Sequence, residues 1–415
     1  MSCRCRLSTR NATLKEYVVL AGSSAMSWLF INAQDRAALR RRHDTLAKID
    51  SWWEAFRAKA DDLDDLFHGR KKWNLPEWMN QHLQAVDERL MWEFGPNHAA
   101  SDGHQLVITP ESHKALRPLV RSLLERAPKI RGWSFSPYRL AESPDFARQM
   151  VEARTGHALP ERLTARASAG EMNRIDLVVE SPEFPKNGKQ QALHQSFVAV
   201  ETMLGEETLD KWIGKIEVER SRPGRYSLPP DRLKPTVDAL IGSFRDQLPP
   251  EPLCAEPPPD KGSVLKLEPE QQSDYADKDD MLVASTMQPQ ILLASLNDPT
   301  FYSERFSRHG ERFAFLKIDG SEGAGKFADR AEIEDAINAA LRPQRLGCVL
   351  GGGTGLRYSY IDLAITDVER TADALRGVLR NGQISKRTWL LFCDCEWRDE
   401  WIGIWDETPA PPRKQ

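Results

Sequence analysis

No run of about 18 consecutive apolar residues occurs in the 415-residue chain, so no segment reads as a helix that crosses a bilayer. Cysteine is scarce. Six residues in 415, with no Cys-x-x-Cys pair among them, exclude a disulfide-built scaffold and suit a reducing compartment. An excess of charge of one sign is missing as well: Lys and Arg number 57 against 61 Asp and Glu, a net charge of −4. A balanced chain of this kind carries no global field that captures nucleic acid or acidic membrane. No His-Glu-x-x-His pair and no Gly-x-Ser-x-Gly elbow is present, and no period of about 20–50 residues repeats, so the chain is not a solenoid.

What is there is ordinary globular usage, 40% hydrophobic and 28% charged. At roughly 150 residues per domain the length suggests two or three domains. Residues 1–34 read as a leader, with Arg4, Arg6, Arg10 and Lys15 ahead of the short apolar stretch Tyr17 to Ala21. That stretch is too short for an export signal. The alternative is a translation start at Met26, where Met26 to Phe30 opens a normal-looking chain. A cytoplasmic location is expected.

The N-terminal domain is expected over 35–248. Leu39, Leu46, Ile49, Trp53 and Phe56 share one helical face between Asp35 and Phe67. A second helix is expected after Pro76, through Met79, Leu83, Val86 and Leu90, ending before Gly95-Pro96. Strands are expected at His104 to Thr109, Trp133 to Leu140, Arg174 to Glu180 and Lys215 to Glu219. Helices are expected through Leu116 to Leu124, Gln190 to Leu204 and Pro235 to Leu248. Residues 249–261 hold the proline cluster and read as a stiff spacer between domains, since proline lacks the N–H that helices and sheets need.

The C-terminal domain is expected over 262–408, followed by a tail at 409–415. Short strands are expected at Val264 to Leu267 and Met281 to Ser285, with a helix through Ile291, Leu292 and Leu296. From Arg312 to Trp397 the order of elements is β-α-β-β-α-β, the ferredoxin-like pattern. The fold class expected for the whole chain is α+β.

Two glycine-rich stretches stand out. Gly320-Ser-Glu-Gly-Ala-Gly325-Lys326 matches the first seven positions of a phosphate-binding P-loop, which would offer backbone N–H groups and Lys326 to a phosphate. Phe327 stands where the magnesium-ligating hydroxyl belongs, so a flexible connector is the competing reading. Gly351, Gly352, Gly353, Thr354 and Gly355 read as a permissive hairpin between two strands, or as a place where a ligand approaches the backbone. The strand that follows puts Tyr358, Tyr360 and Asp362 on one face. In a ferredoxin-like sheet that face is expected to be open, where it lines a groove or a subunit contact or is merely solvated.

Other motifs carry plainer readings. Arg40, Arg41 and Arg42, beside the acidic residues 61–65, read as a solvated helix face. Cys393 and Cys395 share a strand face with Trp389 and Leu391 and read as core thiols. Trp397, Trp401 and Trp405 read either as a partner anchor or as a segment folded onto its own sheet. His98 and His104 flank a turn. No catalytic residue, metal ligand or cofactor is expected.

Trp92-Glu93-Phe94-Gly95, His104 to Thr109 and Ala127-Pro128 with Gly132-Trp133-Ser134-Phe135 resemble motifs of uncharacterised bacterial proteins, over residues 50–215. The resemblance implies a bacterial cytosolic α+β protein and assigns no catalytic residue. The C-terminal part resembles ferredoxin-like modules, which host unrelated functions. Together these readings point to a two-domain binding or interaction protein. Its contact with a partner, a second copy or a small ligand is expected through Gly351 to Gly355 and Tyr358, Tyr360 and Asp362. The alternative is an enzyme or sensor that binds a phosphorylated molecule at Gly320, Gly325 and Lys326.

Overall fold

Asp35 starts the first helix as its sequence position requires: its carboxylate accepts the Ala38 N–H at 2.8 Å, satisfying one of the unpaired amides of a helix start. The computed structural model describes residues 28, 30–31, 35–97, 103–257 and 261–413. The cysteines Cys3 and Cys5, the Met26 start, His98, residues 258–260 of the spacer and residues 414–415 of the tail lie outside the described residues. Helices and strands are interspersed along the chain, which is α+β. None of the described helices is long and apolar enough to cross a membrane.

Contacts divide the chain into two compact units, one ending at Tyr138 and one beginning at Arg139. The first holds α1 (Arg36–Phe67), α2 (Leu75–His82), β1 (Met91–Pro96), β2 (His104–Thr109), α3 (Arg117–Glu125) and β3 (Trp133–Ser136). β2 is central, antiparallel to β1 and parallel to β3, with α3 as the crossover. The stripe of α1 meets this sheet through aromatic edges: Trp53 lies 4.7 Å from Phe135 and Phe56 lies 4.9 Å from Trp133, centroid to centroid. The expected second helix is shorter than its apolar spacing suggests. α2 stops at His82, yet Leu83, Val86 and Leu90 are buried all the same. Gly95-Pro96 ends an edge strand, where proline removes no ladder hydrogen bond.

The second unit opens with α4 (Pro144–Thr155), β4 (Thr164–Ala169), β5 (Ile175–Glu180), α5 (Lys189–Leu204), α6 (Glu206–Trp212), β6 (Ile213–Glu219) and α7 (Pro230–Gln247). β4, β5 and β6 form a small sheet whose β5–α5–α6–β6 crossover joins parallel strands. Then follow β7 (Ser263–Lys266), β8 (Met281–Thr286), α8 (Pro289–Asn297), β9 (Arg312–Asp319), α9 (Arg330–Leu341), β10 (Gly347–Gly355), β11 (Tyr358–Ile365), α10 (Val368–Asn381), β12 (Thr388–Phe392) and β13 (Trp401–Gly403). These strands make one antiparallel sheet in the order β13-β12-β9-β11-β10-β8-β7.

The proline-rich stretch is not where the units part. Leu253 and Cys254 are buried in a cluster with Phe301, Phe313 and Cys348, and the Leu253 N–H donates to the Glu311 carboxylate at 2.8 Å. Residues 173–174 are also tied to 298–305: the Asn173 amide donates to the Arg305 carbonyl at 2.7 Å, and Arg174 pairs with Asp298. Proline rules out helix and sheet for such a segment, but not packing. The expected tail is engaged too, since Trp389 Nε1 donates to the Pro409 carbonyl at 2.6 Å.

Both faces of the central strands of the large sheet are covered. Ile333, Ile337 and Leu341 of α9 and Ala372, Leu375 and Leu379 of α10 are the buried stripes over one face. The other face packs under α8 and the segments before and after it, so Phe313, Ala364 and Cys348 meet Ile291 and Phe301, and Phe315, Tyr358 and Tyr360 meet Tyr275 and Leu292.

Candidate functional site

The face expected to be open is closed. Tyr358 and Tyr360 are 1% and 0% exposed and Asp362 is 8% exposed. The polar segment 268–280 lies over them. Asp280 is its hub: one carboxylate oxygen accepts the Arg357 and Tyr358 amides at 2.7 and 2.9 Å, and the other accepts the Tyr360 hydroxyl. Lys278 pairs with Asp362 and sits 4.7 Å above the Phe315 ring. Burial works against the Lys278 charge, and the Asp362 carboxylate more than offsets this, so its pKa is raised.

Lys317, next to Tyr360 across the β9–β11 ladder, is wholly buried; its ammonium donates to the Tyr275 carbonyl and lies 4.1 Å from the Tyr358 ring centroid. Burial pushes its pKa down to about 8, against the pull of Asp280, Asp277, Asp274 and Asp279. Burial lifts the Tyr358 hydroxyl to about 12, helped by its bond to Asp274. Asp319 is buried as well, yet hydrogen bonds from Arg357, Ser321 and Arg387 hold it down at about 2. The network joins strands to their covering segment, and its charges are spent on one another.

Lys317 gives this network a pH signature. Unfolded, a lysine keeps its proton up to about 10.5; folded, Lys317 loses it near 8. Between those values the unfolded chain binds more protons, so stability rises with pH, by as much as about 3 kcal/mol from this group. Wild type is expected to gain denaturant resistance from pH 8 to pH 10, and Lys317→Met to lose that gain. A wild-type profile that falls over this interval contradicts the assignment.

Gly351 to Gly355 are not a hairpin loop. They are the end of β10, and the turn falls at Leu356-Arg357, held by the Asp280 carbonyl and carboxylate. At Gly351 and Gly352 neighbouring backbone leaves no room for a side chain, and at Gly355 the Asp280 carboxylate leaves none. A Cβ on Gly351 would sit 2.1 Å from the Ser285 oxygen, and one on Gly352 2.4 Å from the Tyr360 oxygen. Gly351 also has φ +149°, next to the register shift that falls between Val349 and Gly351. Thr354 is exposed, and its hydroxyl accepts from Arg330 at 2.9 Å.

The loop from Gly320 to Lys326 does not form a phosphate cradle. The Gly320 N–H donates to the Arg357 carbonyl at 3.0 Å and the Lys326 N–H to the Gly382 carbonyl at 2.8 Å. The start of α9 is filled by the chain's own acids: Asp329 accepts the Glu332 N–H at 3.0 Å, and Glu332 accepts the Ala328 N–H at 2.6 Å. A second anion there would face Asp329 and Glu332 instead of free amides.

Cys348 and Cys395 are buried and Cys393 is half-buried; β12 ends before Cys393, so the two late thiols do not share a strand face. Trp397 is buried, Trp401 lies in β13 against β12, and Trp405 Nε1 donates to the Ile384 carbonyl at 3.0 Å, so this segment folds onto its own sheet. Arg40 and Arg41 are exposed on α1.

The large sheet does offer one uncovered place. β7 is an edge strand, and α9 and α10 belong to the four central strands, so among the described residues the rim of β7 and β8 is bare. Val264 is 70% exposed, and Val283 and Met287 are each 40% exposed. Val264 and Val283 share a face, because they lie opposite Ser285 and Lys266 in the β7–β8 register.

Among the described residues one group of three has metal-ligating atoms close together: Asp64, His68 and His104, all within 4.8 Å of one another. Asp64 and His68 stand four apart at the end of α1, a spacing visible in the sequence; His104 comes from the start of β2. No protein-family model, curated protein or solved structure matches the chain.

Proposed function

We propose that this chain is a binding protein that works by assembly, and that its partner is a second copy docked along β7. The observation that carries this reading is the bare edge. The Leu267 N–H donates to the Leu282 carbonyl, so by antiparallel alternation the Val264 and Lys266 amides face away from β8. An unpaired ladder beside a 70% exposed valine is a template for strand addition, and a strand paired with itself about a two-fold axis is self-complementary. The burial of Tyr358, Tyr360 and Asp362 supports a contact at the rim of the sheet instead of its middle, and Thr354 and Leu356 are exposed as well.

The order β12-β9-β11-β10, with α9 and α10 as crossovers, supports reading 312–392 as a ferredoxin-like module with β7, β8 and β13 added at its edges. Four free cysteines support a reducing, cytoplasmic setting, and the bacterial assignment rests on the resemblance in the first unit.

A four-residue edge buries less than the roughly 1,600 Å² of a standard interface, so a dissociation constant on the order of 1–100 μM is expected. Light scattering across that range should show a dimer that dissociates on dilution. Val264→Pro removes an outward N–H, and Val264→Lys adds charge to the bare face; each should shift dimerisation at least about tenfold in concentration. A wild type that stays monomeric at all concentrations would sink the proposal.

A further inference from the structure

The end of α1 carries chemistry that the assembly reading does not use. Asp64 and His68 lie one helical turn apart on the same face, and His68 is the residue that ends the helix. His104 begins β2, so the strand brings its imidazole to the helix end across forty positions of sequence. Asp64 Oδ1 lies 2.7 Å from His104 Nε2 and 3.3 Å from His68 Nδ1. The two imidazoles meet edge to face at 5.7 Å between centroids. Thus one carboxylate oxygen and two ring nitrogens converge on one point.

We propose that Asp64, His68 and His104 bind a first-row divalent transition-metal ion of the zinc class, with a fourth position left for water or an external ligand. The donor set decides the class. Two imidazoles with one carboxylate suit zinc and its neighbours, whereas magnesium and calcium take sites made of oxygen. Bonds of about 2.0–2.2 Å place tetrahedral ligand atoms roughly 3.3 Å apart, so the His104–Asp64 contact needs to open by a few tenths of an ångström.

The surroundings orient the donors. Arg70 holds the other oxygen of Asp64, which leaves Oδ1 facing the two rings. The Arg70 charge is itself countered by Asp65, whose carboxylate accepts Arg70 Nε at 2.6 Å. Phe67 and Trp133 flank the His104 ring at 5.1 and 5.0 Å and limit its rotation. The side chains are 38%, 36% and 15% exposed for Asp64, His68 and His104, so the site is reached from solvent.

A purely structural role explains less. An Asp64–His104 pair alone would clamp α1 to β2. That clamp needs no second imidazole; His68 Nδ1 donates to the Asp64 carbonyl at 2.9 Å, a bond it gives up on binding the metal, when the neutral ring carries its proton on Nε2 instead.

The test uses the full chain, stripped with a chelator and free of any affinity tag, titrated with Co²⁺ and with Zn²⁺. One equivalent of Co²⁺ should bind and give the visible absorption of a four- or five-coordinate nitrogen–oxygen site, without the near-ultraviolet band of a cobalt thiolate. His68→Gln and His104→Gln should each weaken binding by more than the roughly 10–100-fold that loss of an outer partner costs. Because His104 is partly buried, its variant is checked for folding. A second readout needs no variant: in wild type, Zn²⁺ should move the imidazole resonances of two of the nine histidines. No stoichiometric binding, unchanged binding in the double variant, a thiolate band, or histidine resonances that stay in place would each overturn the proposal.

Discussion

Asp280→Ala is expected to cost the second unit roughly 3–5 kcal/mol, read as a lowered denaturant midpoint. The carboxylate is wholly buried and accepts two backbone amides, from Arg357 and Tyr358, and the Tyr360 hydroxyl. Its removal orphans three donors where water does not reach, at about 1–3 kcal/mol each before relaxation. It also takes the strongest countercharge from Lys317. Asp280→Asn keeps a single acceptor oxygen and should fall between wild type and alanine. A loss below about 1 kcal/mol for alanine would mean that solvent enters beneath segment 268–280 and that the tyrosine face is open after all.

The second large effect concerns the glycine run. Gly351→Ala should destabilise by about 3 kcal/mol or more, since its Cβ would stand 2.1 Å from the Ser285 oxygen and 2.7 Å from the Thr286 Cα, both backbone atoms of β8. An internal control sits in α10: a Cβ added at Gly377 would meet nothing within 4 Å, so Gly377→Ala should stabilise by about 0.5–1 kcal/mol. If Gly351→Ala proves as mild as a change in a permissive hairpin, the strand assignment of Gly351 to Gly355 fails.

These two cases also show what was legible in the sequence. Periodicity exposed α1, α9 and α10, because a helix with one buried stripe repeats its apolar residues at a spacing nothing else requires. The order of elements from Arg312 onward was legible for the same reason. The cover over the tyrosine face was not. Residues 268–280, Glu-Pro-Glu-Gln-Gln-Ser-Asp-Tyr-Ala-Asp-Lys-Asp-Asp, have no period and few apolar groups, so nothing in them points to a buried role. Tyr275, Ala276, Lys278 and Asp280 are buried nonetheless, Lys278 paired with Asp362 and Asp280 bonded to the β10–β11 turn.

Lys317 was the available hint, a cation inside the apolar run Phe-Ala-Phe-Leu-Lys-Ile that needed acceptors from somewhere. Glycine was ambiguous in another way, since it marks both positive φ in a turn and backbone approaching too closely for a side chain. The histidine–aspartate group was half legible. Asp64 and His68 show their spacing within α1, but nothing local announces that β2 starts beside them.

Hydrogen exchange at β7 tests the assembly reading most directly. In a chain paired along this edge, the Val264 and Lys266 amides exchange slowly at high protein concentration and faster on dilution, while the Leu265 and Leu267 amides, bonded to β8, stay slow throughout. If Val264 and Lys266 exchange like an unprotected chain at every concentration, β7 is a free edge and the proposed assembly is wrong.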